Sequence, residues 1–245
     1  MRKHKQVTFD GYYNDKRSMS VKDLIKYIID VRTAVCPTSM LSDEEHYYKL
    51  CAINELVSEL NSCYPWENWK EPKEPNVAYA QLEAADVFIF MVAIVSMYNF
   101  SEGSLTLFEY SDNYPIEFGK LLTEEPEPNW GSWLCTLNHD LIRCILDGFD
   151  ASYTSNNFME AISILAELAQ MDEFAFCTTV FTKIEFIKHR FSNGRYVQNW
   201  NKNNTSGDSE NVTLIKILKK YMENECYNLE DLSDMIRTGI VDFVY

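Results

Sequence analysis

Residues that bend a backbone sharply are scarce here: 8 glycines and 7 prolines serve a chain of 245 residues. An all-β chain needs frequent tight turns, which these residues supply, so the scarcity argues against that class. No Walker-type glycine loop is present, and the four histidines are isolated from one another. Those gaps remove the common P-loop and zinc-hydrolase signatures. The 7 cysteines are odd in number and form no CxxC pair. Such usage fits reduced, buried thiols in a cytoplasmic protein better than a disulfide framework or a zinc site. Positive charge is also short. Lys and Arg total 22 against 37 Asp and Glu, a formal net charge of −15. A polyanion is a poor partner for such a surface, so no nucleic-acid polymer is expected. The opening MRKHKQVTFDGYY has charges but no apolar core, unlike a secretory signal. The longest apolar run, Val87 to Tyr98, is too short to span a bilayer and reads as a buried helix.

What remains is helical. The hydrophobic fraction of 46% supports a substantial core. Residues 1–19 read as a polar, irregular arm, and residues 20–245 as one all-α domain. Ser20 is placed to N-cap a helix through about Val35, with Leu24, Ile25, Ile28 and Ile29 as its apolar stripe. Acidic residues at 43–45 suit the start of a second helix, which runs to about Cys63. A third helix is expected over Val77–Tyr98. The stretch 100–135 is turn-rich and acidic, and reads as an irregular surface insertion. Helical periodicity returns over Asn138–Gly148, Asn156–Gln170, Asp172–Phe191, Val212–Glu223 and Leu229–Arg237.

Three groups of residues carry chemistry. The first is a pair of acidic pairs: Glu55 with Glu59 in INELVSEL, and Glu83 with Asp86 in LEAADVFIF. Residues three or four apart share a helix face. If the two helices pack, four carboxylates approach one another, a costly arrangement unless a cation joins them. Oxygen ligands of this kind suit Mg²⁺, which keeps several waters and shares its shell with substrate phosphates. The second group is a local excess of positive charge in an acidic chain: Lys183, Lys188, Arg190, Arg195 and Lys202, interleaved with Tyr196 and Trp200. Arginine forks and lysine point charges both suit phosphate. The third is Trp66 and Trp69 beside Pro65, which either line a pocket for a base or pack at its rim.

In this order the motifs resemble the all-α nucleoside triphosphate pyrophosphohydrolases, and among them the dimeric dUTPases and dCTPases. The resemblance is carried by NELVSEL, PWENWK, LEAADVFIF, Lys183 with Arg190, Gly194-Arg195-Tyr196, and Trp200, Lys202 and GDSEN. It covers about 20–100 and 137–217, with 100–135 as the insertion. It implies a helical bundle of that family's type and a homodimer that binds a deoxynucleoside triphosphate. It further implies Mg²⁺ held by Glu55, Glu59, Glu83 and Asp86, with Glu55 or Glu59 orienting the attacking water. Lys183, Arg190, Arg195, Tyr196 and Lys202 would bind phosphate, and Trp66 and Trp69 would face the base. The expected reaction converts dUTP, or dCTP, to the monophosphate and pyrophosphate.

The chain departs from the pattern in four places. The first pair is spaced ExxxE rather than ExxE; Lys183 is followed by Ile184 rather than Asn; Arg195 interrupts Gly-Tyr; and DLIKYIIDVR lacks the Gln and Asn used toward uracil. A catalytically degenerate member that binds nucleotides or a protein partner therefore stands as the alternative. On that reading Trp130 and Trp133, beside EPEP, mark a partner surface.

Overall fold

The computed structural model describes residues 17–35, 43–67, 69–71, 73–99, 118, 130–150, 155–192, 207–241 and 243. Eight α-helices and no strand occur among the described residues. They are α1 (Val21–Val35), α2 (Asp43–Ser62), α3 (Val77–Asn99), α4 (Trp130–Asp150), α5 (Ser155–Leu168), α6 (Glu173–Ser192), α7 (Glu210–Met222) and α8 (Leu229–Val241). The described residues are all-α, as the periodicity predicts. It divides into two compact units, one of residues 1–39 and 177–245, the other of residues 40–176.

Helix starts follow local chemistry. The Ser20 hydroxyl accepts from the Asp23 amide at 3.1 Å, which satisfies one orphan donor of the first turn, and donates to the Asp23 carboxylate at 2.7 Å. Asn76 caps α3 through the Tyr79 amide, Asp172 caps α6 through Ala175, and Ser209 caps α7 through Val212. Asn228 accepts from Glu230 and Asp231 while its own amide donates to the Asp231 carboxylate, a reciprocal box at the head of α8. At the other end of α5, Gln170 takes φ 53°. The Met171 amide there reaches back to the Ala166 carbonyl at 2.9 Å, and Gln170 to Glu167 at 3.0 Å. This is a Schellman ending with glutamine in the seat glycine usually takes.

In the unit of residues 40–176, α2 packs on α3, α3 on α5, and α5 on α4. Helix α3 is apolar on every side and is the core helix: Leu82, Ala84, Ala85, Val87 and Phe88 are fully buried. Phe88 meets Phe158 and Phe176 at 6.3 and 5.1 Å between ring centres. Its segment Val77–Ile94 is long and apolar enough to cross a membrane, but 67% of it is buried within the protein, as in a core helix. Helix α4 begins at Trp130, eight positions before the expected start at Asn138. The cause is a stripe at Trp130, Trp133, Leu134 and Leu137, which the neighbouring EPEPN hides from a periodicity reading.

In the other unit, α1, α6, α7 and α8 surround a core that includes Tyr27, Phe181, Ile184, Leu218, Tyr221 and Ile236. Helix α8 lies close on α7, where a Cβ on Gly239 would stand 3.0 Å from Ile217. The buried stripe of α1 is Val21, Leu24, Tyr27, Ile28 and Val31. It is rotated from the expected one, because the buried polar partner of Tyr27 draws that ring inward.

Candidate functional site

Packing of α2 on α3 sets where the acidic pairs lie. Glu55 and Glu59 are exposed on α2, Glu83 is buried at 9% exposure near the start of α3, and Asp86 is half-buried one turn on. Cys63, just past α2, reports on both helices. Its burial first, then the carboxylates of Glu83 and Glu59, push its thiol up to about 11. One member of each acidic pair therefore acts on the same sulfur. No three His, Cys, Asp or Glu side chains among the described residues stand close enough together to hold one ion. The arrangement offers carboxylates from two helices, not a closed cage.

Between α2 and α3 the chain makes a loop over 64–75 whose ends meet, because the Asn76 amide donates to the Cys63 carbonyl at 2.8 Å. A loop of this closed kind packs on itself and projects from the surface. Tyr64 anchors it. The ring is buried, stacks on Trp130 at 5.0 Å, meets Trp133 edge-on at 5.8 Å, and donates its hydroxyl to the Leu168 carbonyl. Burial pushes the phenol's pKa up. Trp130 and Trp133 are thus committed to holding this loop.

Trp66 and Trp69 differ. They are 40% and 70% exposed, the exposed large hydrophobics among the described residues. They meet each other edge-on at 5.6 Å. Trp66 also lines a groove of about 900 Å³ between α2 and α4, with Asn54, Ser58 and Asn61 on one wall and Leu134, Cys135 and Asn138 on the other. Across it the Asn138 amide donates to Asn61 Oδ1 at 2.7 Å. Asn138 Oδ1 is buried and has no partner among the described residues. Glu67, Lys70, Glu71 and Lys73 stand around the groove, and Lys70 pairs with Glu67 at 2.6 Å. Glu55 and Glu59 lie one position along α2 from groove residues Asn54 and Ser58, on the adjoining stripe.

The basic group lies in the unit of residues 1–39 and 177–245, where its described members are tied to near neighbours. Lys183 is buried, with Nζ 3.4 Å from Asn211 Oδ1. Arg190 reaches Glu210 at 3.3 Å. Both therefore hold α6 to the first turn of α7. Arg195, Tyr196, Trp200 and Lys202 lie outside the described residues.

Sequence reasoning passed over the strongest buried charge in that unit. Glu185 on α6 is fully buried. It accepts from the Tyr27 hydroxyl, pairs with Lys188, and accepts from Ser233 at 2.5 Å; His189 stands 3.5 Å away. Lys188 also reaches the Tyr27 hydroxyl at 2.7 Å. Burial alone would raise the carboxyl's pKa. His189, Lys188 and Ser233 outweigh it and hold the group down at about 2. The signal in the sequence is an acid flanked by Ile184 and Phe186, with a lysine three residues on and a histidine four residues on. Asn138 has a comparable signal, a polar residue on the stripe of Leu134, Leu137 and Leu141.

No protein-family model matches the chain, and no curated protein matches it.

Proposed function

We propose that this protein is an Mg²⁺-dependent pyrophosphohydrolase of deoxynucleoside triphosphates, acting on dUTP or dCTP as a cytoplasmic homodimer. One observation supports the reading: α2 packs on α3, the two helices that carry the acidic pairs. Glu59, Glu83 and Asp86, with Glu55 one turn before Glu59, are the residues that would hold the metal. When bound with a triphosphate, Mg²⁺ would neutralise charge on the phosphoryl oxygens. Exposed Glu55 or Glu59 takes the role of base, orienting a water and accepting its proton. Lys183, Arg190, Arg195, Tyr196 and Lys202 enter as phosphate ligands from the resemblance, and Trp66 and Trp69 as the base-facing residues. The test is incubation with Mg²⁺ and each deoxynucleoside triphosphate, with pyrophosphate as the readout. Release from dUTP or dCTP is expected, and no release from any nucleotide would overturn the proposal.

Two observations favour a second reading, a catalytically degenerate member that binds nucleotides or a protein partner without hydrolysis. No three of the described acidic side chains converge, and Lys183 and Arg190 are engaged by Asn211 and Glu210. Calorimetry with Mg²⁺ and a nonhydrolysable triphosphate separates the two. Binding without pyrophosphate release assigns the degenerate member, and release assigns the enzyme.

A further inference from the structure

Trp66 and Trp69 are presented to solvent by a backbone pinned at several points. The Trp66 amide donates to the Tyr64 carbonyl at 3.0 Å, and the Lys70 amide closes a turn over Trp69 by donating to the Glu67 carbonyl at 3.0 Å. The Asn76 amide shuts the loop on Cys63, and buried Tyr64 anchors its start. Packing therefore does not explain why two indoles stay 40% and 70% exposed. Apolar area held in water by a fixed backbone marks a binding surface. The two ring planes stand at 85° with centres 5.6 Å apart. Edge contact at that angle leaves a corner walled by two indole faces, and the face of an aromatic ring carries the negative part of its quadrupole.

The charge around the corner has the same sign. The loop over 64–75 carries Glu67, Glu71 and Glu74 against Lys70 and Lys73, Glu55 and Glu59 are exposed on α2, and the chain has a net charge of −15. A cation is the complementary guest, and in the corner it lies within about 6 Å of both rings, the range of cation–π attraction. A primary ammonium has a better partner at hand: Lys70, next to Trp69, pairs with the Glu67 carboxylate at 2.6 Å. Its N–H donors and strong hydration are served by carboxylates and water, not by indole. Full methylation removes those donors and weakens the hydration while keeping the charge, so an aromatic corner becomes the favoured host.

We infer that Trp66 and Trp69 form a binding site for a trimethylammonium group, seated in the corner between the two indole faces with its substituent toward the groove that Trp66 lines. Asn54, Ser58 and Asn61 on the groove wall suit a substituent that bears hydroxyl or amide groups. The group is carried by choline-type small molecules and by trimethylated lysine in peptides, and both present the same charge and shape. The inference goes beyond the proposed function and gives the two indoles a ligand other than a base. It needs no metal, no phosphate site and no hydrolysis.

The test is a titration of the full chain followed on isotope-labelled indole N–H resonances, with the Trp66 and Trp69 signals identified by their loss in Trp66→Phe and Trp69→Phe. The probes are choline and a peptide bearing trimethyllysine. Their controls are the uncharged isostere of choline, in which tert-butyl replaces trimethylammonium, the unmethylated peptide, and deoxyuridine, all at constant ionic strength. Saturable shifts of both signals by choline or by the methylated peptide are expected. The tighter of the two names the source, a small molecule or a protein tail. Trp69→Leu keeps apolar bulk and removes a π-face, so it should weaken binding about fivefold or more. Trp69 is 70% exposed, so the unfolding midpoint should not move, which separates lost binding from lost folding. No saturable shift by either trimethylammonium probe overturns the inference. So does equal binding of the matched control, the tert-butyl isostere for choline or the unmethylated peptide for the methylated one. Tighter binding of deoxyuridine at the same two signals also overturns it and returns the indoles to the base. Pyrophosphate release is read apart from these titrations: its absence leaves the ammonium site standing, and its presence without trimethylammonium binding leaves the hydrolase alone.

Discussion

Lys188 and Tyr27 meet at 2.7 Å, ammonium to hydroxyl, and both close on the carboxylate of Glu185. Helix α1 is thereby held to α6 by a charge-assisted network, and Ser233 ties α8 to the same carboxylate. Removing one partner from a buried ion pair leaves the other charge uncompensated, which costs about 3–5 kcal/mol. Glu185→Gln should therefore lower the urea-unfolding free energy at pH 7 by about that amount. The pH dependence has a definite sign. Glu185 is held at about 2 in the fold against an ordinary 4.5, so its stabilisation is present above pH 4.5 and is lost as pH falls through about 2. The difference between parent and Glu185→Gln should shrink steadily over that window. A difference unchanged from pH 7 to pH 2 would show that the carboxylate's charge is not what stabilises.

Cys63 gives a chemical readout of the acidic pairs. Its thiol is held at about 11 by burial and by Glu83 and Glu59, so alkylation by iodoacetamide at pH 8 should be slow, as followed on the Cys63 peptide by mass spectrometry. Glu83→Gln removes a negative neighbour and should speed the reaction, by about tenfold for each pH unit that the thiol falls. Mg²⁺ bound at these carboxylates would act in the same direction. An unchanged rate in Glu83→Gln would place that carboxylate too far from the sulfur to matter.

Activity gives the next prediction. Glu83→Ala and Asp86→Ala should each abolish pyrophosphate release while circular dichroism retains the helical signal. Glu55→Ala distinguishes the two members of the exposed pair. Loss of kcat with KM retained marks it as the base, whereas full activity passes that role to Glu59.

The ending of α5 predicts a gain. Gln170 holds φ 53°, where a side chain is disfavoured by roughly 1–2 kcal/mol. Gln170→Gly should relieve that and raise stability by about 1 kcal/mol, visible as a higher unfolding midpoint. A lower midpoint would mean that the glutamine side chain makes compensating contacts.

Much of the fold was legible because it depends on local rules. Ser20 caps the helix whose start it marks, and the all-round apolar character of α3 predicts its burial. What escaped depends on partners distant in the chain. Tyr27 turns inward because of Glu185, a partner on another helix that no periodicity can see. Trp130 and Trp133 looked like part of a surface insertion because Tyr64, on which they pack, lies far away in sequence. For the candidate site, the carboxylates and the exposed tryptophans were readable by residue type and spacing. The Asn61–Asn138 amide bridge was not, since nothing in the sequence pairs two positions so far apart.

The bond between Asn76 and Cys63 has an evolutionary and practical corollary. A segment whose two ends already touch behaves as a cassette: its interior can be rewritten or exchanged without resetting the register of the helices on either side. Trp66, Trp69, Lys70 and Lys73 all ride on that cassette. On the proposed function, base preference would diverge by changes confined to 66–73, with Tyr64 kept as the fixed plug. A library randomised over those positions offers a direct route to altered recognition on an unaltered frame.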